Sequence, residues 1–225
     1  MSIKTLFTIV AISSLALSAI VDQSVYFDFG SLSQKTPLPK VLPGFNIGAK
    51  NTRSRLDIFF DPHCSDSRTF SMLLSKLMAY SYNGKPVKDQ IGIYLHYIPL
   101  PYHYYSFHSI VALKYLEQKY QPGVIPFLER MFAQMEEFNS KFEDTKVAAV
   151  RVILEKIVQE VCPKDYPYPT DLFGTTTYQQ EARLSFKYAV SKQVTGAPVL
   201  FINDVMVEST PTTFTDLSRL VLQFL

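Results

Sequence analysis

The run Leu56-Asp57-Ile58-Phe59-Phe60 is apolar at all but one position and stops at Asp61-Pro62. That is the pattern of a buried strand with a hard C-terminal edge. An apolar stripe at helical spacing follows at once, in Phe70, Leu73, Leu74, Leu77 and Met78. Asn83-Gly84 is the turn signal that closes it. Ile91, Ile93, Leu95 and Tyr97 then alternate with Tyr94 and His96 as a second strand, which stops at Pro99-Leu100-Pro101. Strand, helix and strand in this order imply a parallel pair joined by a crossover, so a sheet covered by helices is already required.

The middle of the chain, from about Ser106 to Glu160, reads as helical throughout. Its stripes are Phe107, Ile110 and Val111, then Phe127, Leu128, Met131, Phe132 and Met135, then Val147, Val150, Leu154, Ile157 and Val158. Pro126 is compatible with a first helical turn. A further helix is expected from about Tyr178 to Ser191, with Thr177 and Gln180 as a capping box. The period then returns to strand. Val199–Ile202 and Val205–Val207 flank Asn203-Asp204 as a hairpin without the usual turn glycine. A last helix starts near Thr213, with Phe214, Leu217, Val221 and Phe224 toward the core. The expected class is α/β: a mixed sheet flanked by helices on both faces, with an all-helical block inserted between its halves.

At the N-terminus, Lys4 precedes an uncharged, mostly apolar run from Thr5 to Val21, and Ala16-Leu17-Ser18 offers small residues for cleavage. Residues 1–18 are therefore expected to be a secretory signal peptide. Residues 19–52 are expected to hold a short strand, Val25–Phe29, and a connecting loop rich in proline and glycine. No later stretch is long and apolar enough to span a bilayer, so the expectation is a secreted or lumenal protein, periplasmic if bacterial, with no membrane contact after cleavage. A formal charge of +2 with 19% charged residues argues against nucleic acid as a partner. Two cysteines rule out a disulfide-dense scaffold and a four-cysteine zinc site.

Cys64 lies where the first strand meets the first helix, in Phe60-Asp61-Pro62-His63-Cys64-Ser65-Asp66-Ser67. Helix N-termini offer unpaired N–H groups and the positive end of the macrodipole, and both favour a thiolate, the nucleophilic form. His63 could add a donor or a positive charge, whereas Asp66 opposes a second anion. Thr195-Gly196-Ala197-Pro198 precedes the closing hairpin. Gly196 permits a bend, and Pro198 is a candidate cis proline whose neighbouring backbone could bind an extended peptide or glutathione.

These residues, in this order, resemble the thioredoxin superfamily, and the long helical block resembles the insertion of the DsbA-like thiol-disulfide oxidoreductases. The likeness runs from about residue 45 to 225 and includes Tyr97-Ile98-Pro99-Leu100-Pro101-Tyr102-His103. It implies a thioredoxin-like domain over 53–225 with the insertion at about 104–192. It also implies that Cys64 is the nucleophile and Pro198 the facing cis proline, with His63 and Ala197 beside the substrate. Ser67 departs from the family pattern, which has a resolving cysteine at that place. A serine cannot release a mixed disulfide intramolecularly. The chemistry implied is monothiol exchange at Cys64 and Ser67 with protein thiols, extended peptides or glutathione, the last as a co-substrate, with no tightly bound cofactor.

Two other readings use the same residues: a non-catalytic thioredoxin-fold module that binds peptides, and a glutathione-binding protein resembling the kappa-class transferases. Cys162 reads as a small buried residue rather than a partner for Cys64. His63, His96, His103 and His108 match no zinc spacing, so no metal is expected. The dense tyrosines Tyr94, Tyr97, Tyr102, Tyr104 and Tyr105 read as half-buried packing around the strand end.

Overall fold

The computed structural model describes residues 39, 42–141, 145–168 and 171–225. The expected signal peptide and the strand expected at Val25–Phe29 lie outside these residues. Helices and strands are numbered here in chain order.

Strand β2 (Arg55–Phe60) sits at the centre of a five-stranded sheet, in the order β1 (Phe45–Asn46), β5 (Gly92–Tyr97), β2, β6 (Val199–Ile202) and β7 (Val205–Met206). It pairs in parallel with β5 (Gly92–Tyr97) and antiparallel with β6 (Val199–Ile202). A central strand with both faces covered has little use for polar residues, and Leu56 to Phe60 are all buried. The two-residue period divides that strand between two cores. Leu56, Ile58 and Phe60 enter the main core, and Phe59 enters a smaller one with Ile98, Ala189, Val194 and Phe201.

Helix α1 (Ser65–Ala79) buries Phe70, Leu74 and Leu77. Asn83-Gly84 does more than end it. Asn83 (φ 50°) and Gly84 (φ 76°) form the turn of a small hairpin, β3 (Ser81–Tyr82) with β4 (Lys85–Pro86). Strand β1 (Phe45–Asn46) falls in the segment expected to be loop. It pairs antiparallel with Leu95 and Tyr94 of β5, and two residues are too few to show an alternation. Gly44 is required beside it, because a Cβ there would stand 2.7 Å from the His96 ring, at a φ of +125°.

The helical block forms α2 (Ser106–Lys119), α3 (Val124–Glu136) and α4 (Val147–Val161). A π-helical segment, Glu137–Lys141, prolongs α3. Val150, Leu154, Ile157 and Val158 are buried as expected, but Val147 is exposed in the first turn of α4. Helix α5 (Thr176–Ser191) is preceded by Thr175 at its N-cap. Thr177 lies inside the helix, so the expected box with Gln180 does not form.

The hairpin of β6 and β7 (Val205–Met206) turns on Asn203 (φ 49°) and Asp204 (φ 72°). Both tolerate the left-handed region, which is why no glycine is needed. The Asn203 side chain also accepts the Arg55 N–H at 2.9 Å, tying the turn to the start of β2. Helix α6 (Phe214–Leu222) is capped by Thr213, whose hydroxyl accepts the Asp216 N–H. Leu217 and Val221 face the core; Phe224 lies past the helix end and is exposed. Among the described residues no helix is long and apolar enough to cross a membrane.

Candidate functional site

Cys64 is the N-cap of α1, in extended backbone (φ −97°, ψ 129°), with no side chain capping the helix. Its Sγ donates to the Ala197 carbonyl oxygen at 3.3 Å. The Ala197–Pro198 peptide bond is cis. The two motifs, 133 positions apart for this contact, therefore meet. Cys64 is buried, 7% exposed as a residue. Gly196 is not needed for the bend: its φ is not left-handed, and an added Cβ would meet nothing within 4 Å. Thr210 donates its hydroxyl to the Pro198 carbonyl at 2.8 Å, which fixes the far side of the turn.

A groove of about 240 Å³ runs from this point. One wall is α1, with Asp66, Thr69, Phe70 and Leu73; the other is Ala197, Pro198 and the segment Thr210 to Thr212. Its floor is apolar, its rim carries hydroxyls, and Asp66 is the charged residue in it. Tyr102 stands close by and is 66% exposed. Its phenol is held above its usual range by partial burial and by the negative charges of Cys64, Asp61 and Asp66.

Beneath the loop lies a carboxylate that the sequence suggested only as a strand stop. Asp61 is fully buried. One oxygen accepts the His63 N–H (2.8 Å) and the Ser106 hydroxyl (2.7 Å). The other accepts the Leu100 N–H and the His103 Nδ1, each at 2.8 Å. The loop before Cys64, the end of β5 and the start of α2 thus share one acceptor. The Asp61 N–H in turn donates to Ser67 Oγ at 3.2 Å. Ser67 is fully buried, and its hydroxyl oxygen faces the backbone below the site.

His63 is placed away from the groove. It is 1% exposed, with its Nε2 at 2.7 Å from Ser109 Oγ and its ring edge-on to Phe138. Asn139 donates to its carbonyl oxygen at 2.9 Å. Burial pushes its pKa down to about 4, with the Asp61 charge only partly opposing that. The positive charge the sequence allowed at His63 is therefore absent at neutral pH. The sign of the resulting pH dependence follows. A histidine whose folded pKa lies below its unfolded value near 6.5 stabilises the fold fully above that value, and the contribution is lost as pH falls toward 4. Chemical denaturation between pH 7 and 4.5 should show falling stability. In His63→Gln the fall should be shallower by about one bound proton, worth up to about 3 kcal/mol over the window.

The other histidines are also tied internally: His96 to Asp57 at 2.6 Å, His103 to Asp61, and His108 to Arg151 at 3.3 Å. No cluster of three metal-ligating side chains occurs among the described residues. Tyr97 and Tyr105 are buried and Tyr94 lies under the Arg55 guanidinium, whereas Tyr102 and Tyr104 are exposed, the first with its ring edge-on to His103 and the second beside Tyr105. Cys162 is half-buried at the end of α4, and both cysteines are free thiols. Burial pushes the Cys162 thiol up.

No protein-family model matches the sequence, and no curated protein matches it. Solved structures do match. DsbA of Chlamydia trachomatis is 14% identical, with 83% of this chain and 94% of that one covered, at a TM-score of 0.58. BdbD of Bacillus subtilis, in its oxidised form, is 12% identical over 84% and 96%, at 0.61. DsbA2 of Pseudomonas aeruginosa is 17% identical over 80% and 97%, at 0.54. At these identities the likeness is one of architecture. The chain has the DsbA-like thioredoxin fold, a mixed sheet flanked by helices with an inserted helical subdomain.

Proposed function

We propose that this protein carries out thiol–disulfide exchange through Cys64 as a monothiol Cys-x-x-Ser site, acting on protein or glutathione thiols in an exported compartment. The observation that carries the reading is the Cys64 sulfur at a helix N-cap, 3.3 Å from the carbonyl of Ala197, a residue that itself lines the groove. The start of a helix is where a thiolate is best accommodated. The fold shared with DsbA and BdbD supports the same assignment by analogy. Export rests on Lys4 and the apolar run behind it.

In the proposed step the Cys64 thiolate attacks one sulfur of a substrate disulfide. A new S–S bond forms, the old one breaks, and the departing sulfur leaves as a thiolate that takes a proton from water. Ser67 cannot repeat the attack from within the chain. A second external thiolate therefore attacks the mixed disulfide and returns Cys64 to its starting state. Ala197 and Pro198 border the substrate side, and His63 supports the loop from behind.

The test is exposure of the reduced protein to glutathione disulfide and to a peptide disulfide, followed by intact mass. One adduct is expected on the native chain and on Cys162→Ser, and none on Cys64→Ser. An adduct that follows Cys162 instead would overturn the proposal. The 7% exposure of Cys64 favours one other reading, a module that holds peptides without turnover. Peptide binding that persists unchanged in Cys64→Ser would select that reading.

A further inference from the structure

We infer that the Cys64 site takes polypeptide partners with Lys or Arg beside the reacting sulfur, and discriminates against glutathione. This rests on the exchange reading above and names its substrate class. Asp66 faces the groove from the first turn of α1, is exposed, and has no ion pair among the described residues. No Lys or Arg lines the groove. Arg68 is about 200° around the helix from Asp66 and so points elsewhere, and Lys192 is paired with Asp204. A second carboxylate, Asp61, lies buried below the same loop and is satisfied by N–H and O–H donors from the backbone, Ser106 and His103.

The charged residue a substrate meets in the groove is thus a carboxylate, although the whole chain has a formal charge of +2. Glutathione carries two carboxylates against one ammonium, a net negative charge, and the groove offers no Lys or Arg to receive the carboxylates. A lysine or arginine beside a substrate cysteine would meet Asp66. Charge complementarity of this kind acts mainly on the rate of encounter and weakens with salt.

The experiment uses two capped peptides, Ala-Lys-Cys-Lys-Ala and Ala-Glu-Cys-Glu-Ala, each activated as a 2-pyridyl disulfide. Cys64 attacks the peptide sulfur and pyridine-2-thione leaves, so absorbance gives the rate and mass the adduct. At low ionic strength the lysine peptide should react at least about 10-fold faster than the glutamate peptide, and the ratio should shrink toward one in 1 M salt, where screening extends to about 3 Å. Asp66→Lys should reverse the order. Because that substitution also alters the surroundings of the thiol, the measure is the ratio between peptides rather than either rate. Equal rates, or a ratio unmoved by salt, would overturn this inference alone. Thione release from neither peptide would remove the exchange reading, and this inference with it.

Discussion

Replacing Asp61 with Ala should destabilise the protein by about 3–5 kcal/mol, the range found when one member of a buried charged, hydrogen-bonded set is removed. The reason is arithmetic on donors. Two backbone N–H groups, the Ser106 hydroxyl and the His103 ring all end on this carboxylate, and the side chain is fully buried. Alanine supplies no acceptor, and each buried donor left without one costs about 1–3 kcal/mol before the loop relaxes. In a chain of this size that corresponds to a fall in Tm of about 10 °C. Asp61→Asn, which keeps one acceptor oxygen and the shape, should fall between the two. A loss below about 1 kcal/mol in Asp61→Ala would mean that the three segments are held together by packing alone. The alkylation rate of Cys64 should change in the same variant, since the residue before it loses its N–H acceptor.

Ser67→Cys should convert the site from one that waits for an external thiol to one that resolves itself. Residues at the N-cap and three positions further along a helix have Cα atoms about 5–6 Å apart, inside the span a disulfide bridges. A thiol tethered there acts at an effective concentration far above the millimolar range of a free thiol. The lifetime of a mixed disulfide on Cys64 should drop by more than about 100-fold. Oxidised Ser67→Cys protein should show two fewer free thiols than its reduced form. The cost is loss of the Ser67 acceptor for the Asp61 N–H, about 1 kcal/mol in the reduced state. A variant that keeps all its thiols after oxidation would show that the side chain at 67 is turned too far into the core to reach the sulfur.

The strand–helix–strand start, the long helical block and the closing hairpin are visible in the sequence because each is carried by a period over several residues. Leu56 to Phe60 and the stripe from Phe70 read correctly for that reason. The elements that escape are too short to have a period, namely β1 at Phe45–Asn46 and the hairpin around Asn83-Gly84. The meeting of Cys64 with Ala197 is foreshadowed by each lying at the edge of a strand. The buried role of Asp61 has no such signal. A strand-ending aspartate before proline looks like an exposed stop, and only the return of Leu100, His103 and Ser106 to the same point reveals the acceptor. His63 misleads in the opposite sense, since adjacency to a cysteine says nothing about which side of the loop its ring takes.

The residue immediately before the nucleophile is held by Ser109 on α2 and by Asn139 beyond α3, both belonging to the inserted helices rather than to the sheet. Cys64 is anchored to the sheet half through Ala197. Adjacent residues of one loop thus report to different parts of the molecule, and a substitution in the inserted helices at Ser109 or Asn139 acts one peptide away from the sulfur without touching it.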